Sequence, residues 1–208
     1  MASPAKVIPI VKTQHRSTRA FLSPAELLAV LKVAKARSTR DWAMVLMCYR
    51  HGMRASEVCG LKLSDVNVKE QWVRIERLKG SLTTVQPLAG HKGMPILDEL
   101  AALKAYLRVR RADGSDFVFV SAKGGRLCRS GFYRLYSGLA VAAGLPPGKC
   151  GPHTLKHSIV SHLIAANTNI AIVKAAVGHK SLSSTMEYIH TSDAQVAEAV
   201  AIAMMKTF

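Results

Sequence analysis

The sequence predicts an α+β fold that is mostly helical and carries one small antiparallel sheet of three strands. Two observations support this prediction. Apolar residues recur at helical spacing before residue 60 and again after residue 98. The stretch between them, residues 66–88, instead carries β-branched residues and a tryptophan in partial alternation. Because helical segments flank a single short β segment, we expect one helical domain with the sheet on one side.

The first helices have recognisable start and stop signals. Ser23 is a suitable N-cap, Pro24 takes the first helical position, and Glu26 follows three residues after the cap, as in a capping box. A second helix is expected from about residue 40 to 50, ending before a glycine, and a short third helix from about 55 to 60.

The segment "VNVKEQWVRIERLKGSLTTVQPL" predicts an antiparallel meander, because its alternation is broken by two polar triplets at 69–71 and 79–81. Helical signals return at residues 98–111, and a short apolar run, "FVFV", follows. The remainder is predicted to be helical from about residue 130, with breaks at residues 144–152, near Asn167 and at Gly178.

The composition indicates an acidic polymer as partner. The 208 residues include 29 Lys and Arg against 13 Asp and Glu, a formal net charge of +16. Basic side chains that neutralise phosphates release condensed counterions, which supplies most of the sequence-independent affinity for nucleic acid. An anionic membrane surface is the alternative partner, but no run approaches the roughly 18 apolar residues of a membrane span. We therefore expect nucleic acid rather than a membrane.

The cysteines indicate a reduced, cytoplasmic setting. They are few for a secreted scaffold of this size, and they do not form the paired spacing that structural zinc sites use. We therefore do not expect these cysteines to bind a structural metal. The four cysteines are Cys48, Cys59, Cys128 and Cys150.

The stretch "GPHTLKHSIV", residues 151–160, places His153, Lys156 and His157 at the start of a predicted helix. Cations are disfavoured at this position, because the unpaired backbone N–H groups and the macrodipole already make a helix N-terminus positive. The arrangement becomes favourable when a phosphate or another anion binds between the basic groups. The alternative is a solvated helix start with a packed histidine.

Two other segments carry reactive side chains in unusual places. Arg54 falls at the start of the short third helix, where an i,i+3 ion pair with Glu57 is a sufficient structural reason for it. In "VGHKSLSSTMEYIHTS", His179 follows a glycine, and Tyr188 lies nine residues later in a polar segment. A lone tyrosine is usually half-buried with a tethered hydroxyl, but it can also attack phosphorus and form a covalent phosphotyrosine.

These residues resemble, in their order, the signature R…K…H-x-x-R…H/W…Y of the tyrosine recombinase, or phage integrase, family. Three motifs are similar as well: "GMRASEVCGLKLSDV" to its arginine-bearing helix start, "KGSLTTVQPL" to its catalytic hairpin, and "HTLKHSIVSHLIAANTNIAIVKAAVGHKSLSSTMEYIH" to its C-terminal motif. The resemblance covers about residues 21–195 and implies the family's catalytic fold. Lys92 is an alternative to Lys79 for the hairpin lysine. The signature residues are Arg54, Lys79, His153, Lys156, His179 and Tyr188.

The resemblance implies site-specific DNA recombination (integration, excision or inversion) by strand cleavage and rejoining in double-stranded DNA. Tyr188 would attack a phosphodiester to form a 3′-phosphotyrosine, while Lys79 donates a proton to the leaving 5′ oxygen. Arg54 would clamp the phosphate, and His153 and His179 would donate hydrogen bonds to its oxygens, His153 also assisting proton transfer. Preorganised donors of this kind stabilise the charge that a phosphoryl transition state spreads over its oxygens. No metal, other cofactor or small-molecule substrate would be required.

Lys156 departs from the family pattern, which has arginine at this position. An ammonium carries the same charge but cannot give the bidentate hydrogen bonds of a guanidinium. Losing one such bond in the transition state costs a few kcal/mol, or roughly a hundredfold or more in rate. The alternative function is therefore a DNA-binding accessory protein on the same fold, with weak or lost cleavage.

The length is a second departure, because the family commonly carries a separate core-binding domain before the catalytic one. Here residues 1–20 are expected to form a basic tail or arm, and residues 21–208 the catalytic domain, with no separate core-binding domain. Short members of the family that invert fimbrial promoter segments have this architecture, and a catalytic fragment of a longer protein is the alternative. The basic residues of the arm, candidates for DNA contacts, are Lys6, Lys12, Arg16 and Arg19.

The segment after Ser192 has apolar residues at helical spacing and few charges. Such a segment usually packs on its own domain. In the family, it often docks on a neighbouring protomer, so we expect a homo-oligomer, from dimer to tetramer, on DNA.

A metal hydrolase is a third alternative, with His153, His157 and His162 as ligands. The first two have i,i+4 spacing, but the third lies five residues further on, and no acidic ligand is close in sequence. We expect His157 and His162 to pack or to hydrogen-bond within the domain instead.

Overall fold

The computed structural model describes residues 20–78, 81–111, 114–179, 181, 183–186 and 188. Over these residues it has eight α-helices and one antiparallel sheet of three strands. The predicted α+β class, mostly helical with a small sheet, is confirmed.

The N-terminal helices begin where the sequence predicts. Helix α1 spans Pro24–Arg37, and the Ser23 side chain accepts a hydrogen bond from the backbone of Glu26 while the Glu26 carboxylate accepts one from the Ser23 N–H, 2.7 Å away. This reciprocal pair is the predicted capping box. Helix α2 spans Thr39–Arg50, and helix α3 spans Ala55–Gly60.

The sheet follows a short 3-10 turn and pairs its strands in sequence order. Strands β1, Val66–Asn67, β2, Trp72–Ile75, and β3, Thr84–Pro87, are antiparallel to their neighbours. In β2, Val73 and Ile75 are buried while the residue between them is exposed, so one face of the sheet packs on the helices.

The middle of the chain adds two helices around a short apolar segment. Helix α4 spans Glu99–Val109 and helix α5 spans Arg129–Ala142. Between them, the "FVFV" run forms isolated β-bridges rather than a strand, and the Phe119 ring stacks on Tyr106 of α4 with ring centroids 5.4 Å apart.

The last described helices are α6, His153–Ala165, α7, Ile170–Val177, and α8, Ser183–Met186. The connections contain left-handed residues: Asn167 has φ of 55°, and Gly178, the C-cap of α7, has φ of 66°. These are the helix breaks that the sequence predicts.

Two clusters of buried apolar residues hold the described elements together. The larger one contains residues from each of the helices α1 through α6 and from the sheet, among them Leu31, Met44 and Phe132. The smaller one joins α6 and α7 through Val160, Val173 and Val177, and it includes the side chain of Tyr188. The smaller cluster therefore places the tyrosine against the middle of α6.

Candidate active site

His153, His157 and Tyr188 lie in a row along the start of α6. His153 and His157 share one face of the helix, with ring centroids 5.7 Å apart in an edge-on arrangement. The next contact in the row is a hydrogen bond between Nδ1 of His157 and the phenolic oxygen of Tyr188. His153 is exposed, and a Cβ at Gly151 would overlap its Cε1 atom, so the glycine leaves room for the ring.

Tyr188 is nearly buried, with 7% of its surface exposed. Its backbone N–H donates to the carbonyl oxygen of Thr185, 3.2 Å away, which fixes the tyrosine just after α8. The same threonine hydrogen-bonds through Oγ1 to Nδ1 of His179, 3.0 Å away. Thr185 therefore connects two of the predicted site residues.

His179 follows directly after α7. Its backbone N–H donates to the carbonyl of Lys174, 3.0 Å away, and Gly178 before it takes the left-handed conformation that ends the helix. A left-handed turn costs glycine little, which explains the glycine that the sequence places before this histidine.

Arg54 is the residue before α3 and is held by Glu57 at two points. Its guanidinium donates to Oε1 of Glu57 at 2.7 Å, and its backbone N–H donates to Oε2 at 2.9 Å. The predicted ion pair is thus present, and 32% of the arginine side chain remains exposed. Arg54 keeps N–H groups at the surface for an incoming anion, since a guanidinium has five donors.

The carboxyl of Glu57 is buried and ionised. Burial alone would raise its pKa, but hydrogen bonds from Arg54 and the charge of Arg77 lower the pKa of Glu57 below its usual range. The carboxylate also accepts a hydrogen bond from the Leu78 N–H, 3.3 Å away. Glu57 therefore connects α3 to the hairpin between β2 and β3.

Arg77 is a buried cation that sequence reasoning missed. Its guanidinium donates to the carbonyls of His51, Gly52 and Ala176, at 2.8, 3.1 and 3.1 Å, and to Glu57 at 3.2 Å. The hairpin, the α2–α3 turn and the end of α7 are thereby tied together. Burial lowers the pKa of Arg77, and the charge of Glu57 opposes that shift. The signal was present in the sequence, because Arg77 continues the buried alternation of β2.

Lys156 is also buried, with 8% of its surface exposed. Its ammonium donates to the carbonyl of Gly52 at 2.9 Å and to that of Val177 at 2.8 Å. Burial, followed by the charge of Arg77, lowers the pKa of Lys156 to about 7. Two of its three N–H groups are occupied by backbone carbonyls, which sequence reasoning, treating the lysine as a phosphate ligand, did not foresee.

Lys79, predicted to donate a proton to the leaving oxygen, lies outside the described residues. Lys92, the alternative, is exposed in the turn before the 3-10 segment Pro95–Leu97. The expectations for the arm at residues 1–20 and for the segment after Ser192 also fall on residues that the structure does not describe, apart from residue 20.

The other α6 histidine has a structural place. Nδ1 of His162 hydrogen-bonds to the Tyr49 hydroxyl at 2.8 Å, and Nε2 hydrogen-bonds to the carbonyl of Leu22 at 2.9 Å. These bonds agree with the expectation that His162 hydrogen-bonds within the domain. Over the described residues, His, Cys, Asp and Glu side chains do not gather in groups of three or more suited to a metal ion.

The geometry separates the predicted residues into two neighbouring groups. One is the row that ends at Tyr188, with His179 attached through Thr185. The other surrounds Glu57 and the Gly52 carbonyl, where Arg54, Arg77 and Lys156 meet. The three cations are close enough that the charges of both arginines depress the pKa of Lys156. Such a cluster favours an anion beside the tyrosine.

Comparison with known proteins identifies the family to which the chain belongs. The family model described as phage integrase family matches residues 20–195. The chain belongs to the phage integrase family. The resemblance predicted from the motifs is therefore confirmed.

Individual members of the phage integrase family cover the chain to different extents. Type 1 fimbriae regulatory protein FimB of Escherichia coli (strain K12) is 33% identical over 175 residues, which are 82% of this chain and 84% of FimB. Tyrosine recombinase XerC of Thermodesulfovibrio yellowstonii (strain ATCC 51303 / DSM 11347 / YP87) is 31% identical over 193 residues, 90% of this chain and 63% of XerC.

Solved structures of recombinases share the fold. The crystal structure of XerA recombinase aligns with a TM-score of 0.73 at 27% identity, covering 88% of this chain and 65% of the XerA chain. The XerH recombinase bound to its difH substrate aligns with a TM-score of 0.74 at 22% identity, covering 96% of this chain and 58% of XerH. The chain thus spans most of FimB but less than two thirds of these Xer proteins.

Within the part of the chain that the structure describes, none of the helices has the length and apolar character needed to cross a bilayer.

Proposed function

We propose that this chain is a site-specific recombinase that cleaves and rejoins double-stranded DNA through a phosphotyrosine at Tyr188. The observation that carries the proposal is the row of His153, His157 and Tyr188 next to a cluster of cations. His153 and Tyr188 in the row, and Arg54 and Lys156 in the cluster, stand at positions of the family signature. A nucleophile, proton-accepting groups and charge for a phosphate are thereby within one site.

In the proposed reaction, the phenolic oxygen of Tyr188 attacks a DNA phosphorus and the 5′ oxygen leaves. Arg54 binds the non-bridging oxygens through its exposed N–H groups, and His153 and His179 add donors from the ends of α6 and α7. Lys79 protonates the 5′ oxygen. Reversal of these steps with another 5′ hydroxyl rejoins the strand.

Lys156 has a different part in this proposal from the one its sequence position suggests. Because its ammonium binds the carbonyls of Gly52 and Val177, it holds the turn before Arg54 against the end of α7. Its charge contributes to the field at the phosphate, while its third N–H group remains for a direct bond. We propose that the bidentate contact of the family arginine is absent here.

DNA as the partner is supported by charge and by relatives. The net charge of +16 favours a polyanion. The XerH structure is a pre-cleavage complex with its difH substrate, and a lambda integrase dimer is bound to a COC′ core site. By analogy, we expect this chain to bind DNA as a dimer or tetramer. Because the family model and the Xer relatives are those of integrases and recombinases, the alternative of a binding-only accessory protein is not favoured.

Two further expectations belong to this proposal. The cytoplasmic location expected from the cysteines stays a prediction. The division into an arm at residues 1–20 and a catalytic domain at 21–208 also stays a prediction.

Covalent trapping tests the proposed function. A target is first selected from randomised duplex DNA by repeated binding, and a nick is then placed beside the cleavage position so that the released fragment diffuses away. We expect wild-type protein to form a covalent adduct that survives denaturation, and Tyr188→Phe to form none, because phenylalanine has no nucleophilic oxygen.

Tyr49→Phe is the matched control. Tyr49 also hydrogen-bonds to a histidine of α6, but this histidine is His162 and not His157. This variant should retain adduct formation. An adduct that persists in Tyr188→Phe, or a wild-type protein that binds its selected DNA without ever forming one, contradicts the proposal.

A further inference from the structure

His157 contacts the atom that would react. Its Nδ1 hydrogen-bonds to the phenolic oxygen of Tyr188, and the two ring centroids are 5.8 Å apart. The sequence predicts that this histidine packs or hydrogen-bonds within the domain, because the family signature assigns the first histidine of "HTLKH" to chemistry and not the second. The structure instead places His157 between His153 and the nucleophile.

The surroundings of Tyr188 create a need for a proton acceptor. The side chain is 7% exposed and packs against Val160, Val173 and Val177. A free phenol has a pKa of about 10, and apolar surroundings disfavour its ionised form further. A tyrosine in this position therefore requires a neighbouring base to take its proton as the oxygen attacks.

The other basic groups of the site have partners elsewhere. The Lys156 ammonium donates to the carbonyls of Gly52 and Val177. Nδ1 of His179 bonds to Oγ1 of Thr185. His153 is exposed, and its ring meets the His157 ring edge-on. These contacts direct Lys156 and His179 to partners other than the phenol, whereas His157 hydrogen-bonds to the phenol itself.

We propose that His157 is a catalytic residue that orients Tyr188 and accepts its phenolic proton during DNA cleavage. The proposal rests on the proposed function and adds to it the group that activates the nucleophile. His157 acts as the tautomer that carries its proton on Nε2, so the lone pair of Nδ1 faces the phenol.

The protons balance over the cleavage step. As the bond between the Tyr188 oxygen and phosphorus forms, the O–H bond breaks and its proton moves to Nδ1 of His157. The bond from phosphorus to the 5′ oxygen breaks, and that oxygen takes a proton from Lys79. During rejoining, the incoming 5′ hydroxyl returns a proton to Lys79, and His157 returns its proton to the departing phenol.

The test varies the acidity of the nucleophile. Fluorinated tyrosines of decreasing pKa are placed at position 188 by amber suppression, in the wild-type background and in His157→Asn, which keeps a hydrogen-bonding group without basicity. Adduct formation on the nicked substrate is measured in single turnover. With ordinary tyrosine, His157→Asn should be slower by about a hundredfold or more, the usual contribution of a general base.

The decisive result is how this deficit changes along the series. If His157 takes the proton, the deficit shrinks as the phenol becomes more acidic, because an acidic phenol needs less assistance. A deficit that stays constant along the series, or equal rates for His157→Asn and wild type, overturns the proposal.

His162→Asn is the matched control, a histidine on the same helix whose hydrogen bonds go to Tyr49 and Leu22. Its rate per folded molecule should equal that of wild type along the whole series. Thermal unfolding and DNA binding are measured for every variant, and His157→Gln replaces His157→Asn if the latter fails to fold. A wild-type protein without any adduct counts against the proposed function itself, whereas an adduct with no His157 dependence counts against His157 alone.

Discussion

The ammonium of Lys156 is buried against two backbone carbonyls instead of facing solvent. A buried cation without a carboxylate in direct contact is costly, and the nearby Arg77 adds repulsion. Lys156 therefore loses its proton at a lower pH than an ordinary lysine, whereas the guanidinium of an arginine stays protonated.

The stability of the protein should depend on pH through this residue. The folded-state pKa of Lys156 is lowered from 10.5 to about 7, so between these values the unfolded chain binds the extra proton. Stability therefore rises with pH across this window, by about 1.4 kcal/mol for each unit of pKa difference. We expect the free energy of unfolding in urea to rise from pH 7 to 10 more steeply in wild type than in Lys156→Met. Parallel pH profiles for the two proteins would contradict the assignment.

Contacts between residues close in sequence could be predicted, whereas contacts between distant residues could not. The ion pair of Arg54 with Glu57 follows from i,i+3 spacing on a helix, and the sequence shows it directly. The hydrogen bond of His157 to Tyr188 joins residues 31 positions apart, so it depends on how α6 meets the segment after α8. The carbonyl partners of Lys156 could not be predicted from the sequence either. Every residue has a backbone carbonyl, so residue identity does not indicate which carbonyl a distant side chain will contact.

At the scale of elements, the C-terminal end of α7 positions residues of the candidate active site. Gly178 has a left-handed φ of 66°, and a Cβ there would lie 2.9 Å from Nε of Arg77. Because Gly178 has no side chain, the backbone can make the left-handed turn that precedes His179. The buried Arg77 side chain can also lie against this turn.

Two glycine substitutions separate these effects. Gly144 also has a positive φ, of 76°, but a Cβ there meets nothing within 4 Å. We expect Gly144→Ala to destabilise the protein by about 1–2 kcal/mol from backbone strain alone. Gly178→Ala should cost more, because Arg77 must also move. Urea unfolding measures both, and equal losses would show that the contact with Arg77 is unimportant.

Elements whose ends are determined by neighbouring residues, such as capping and turn residues, were predicted correctly. The capping box of α1 and the turns of the meander involve neighbouring residues, so the sequence contains all that determines them. The "FVFV" run was harder, since its residues form isolated bridges to Lys62 and Arg126 and not a strand. Whether such a run joins a sheet depends on partners that are distant in sequence.

At the scale of the whole molecule, the excess of positive charge should set the strength and salt dependence of DNA binding. Each phosphate that a protein neutralises adds about 0.9 to the slope of log affinity against log salt. The slope therefore counts the basic side chains that reach the DNA, wherever they lie in the chain.

Removal of residues 1–20 tests the predicted arm. The four cations of the arm should account for at most about 4 units of slope, and their loss should lower the slope without abolishing cleavage of a tightly bound site. Fluorescence anisotropy over a range of salt concentrations measures the slope. A full-length variant with glutamine at all four positions controls for length, and an unchanged slope in both proteins would rule out the arm as a DNA contact. These positions are Lys6, Lys12, Arg16 and Arg19.

The carbonyl of Gly52 accepts hydrogen bonds from both Arg77 and Lys156, so one backbone oxygen joins a hairpin cation to a helix cation. Because they share this acceptor, we expect the two positions to be energetically coupled, so that the effect of changing either depends on what occupies the other. An arginine at 156 would bring a second guanidinium to an oxygen that Arg77 already holds. The consequence of replacing Lys156 by arginine is therefore expected to depend on the residue at position 77.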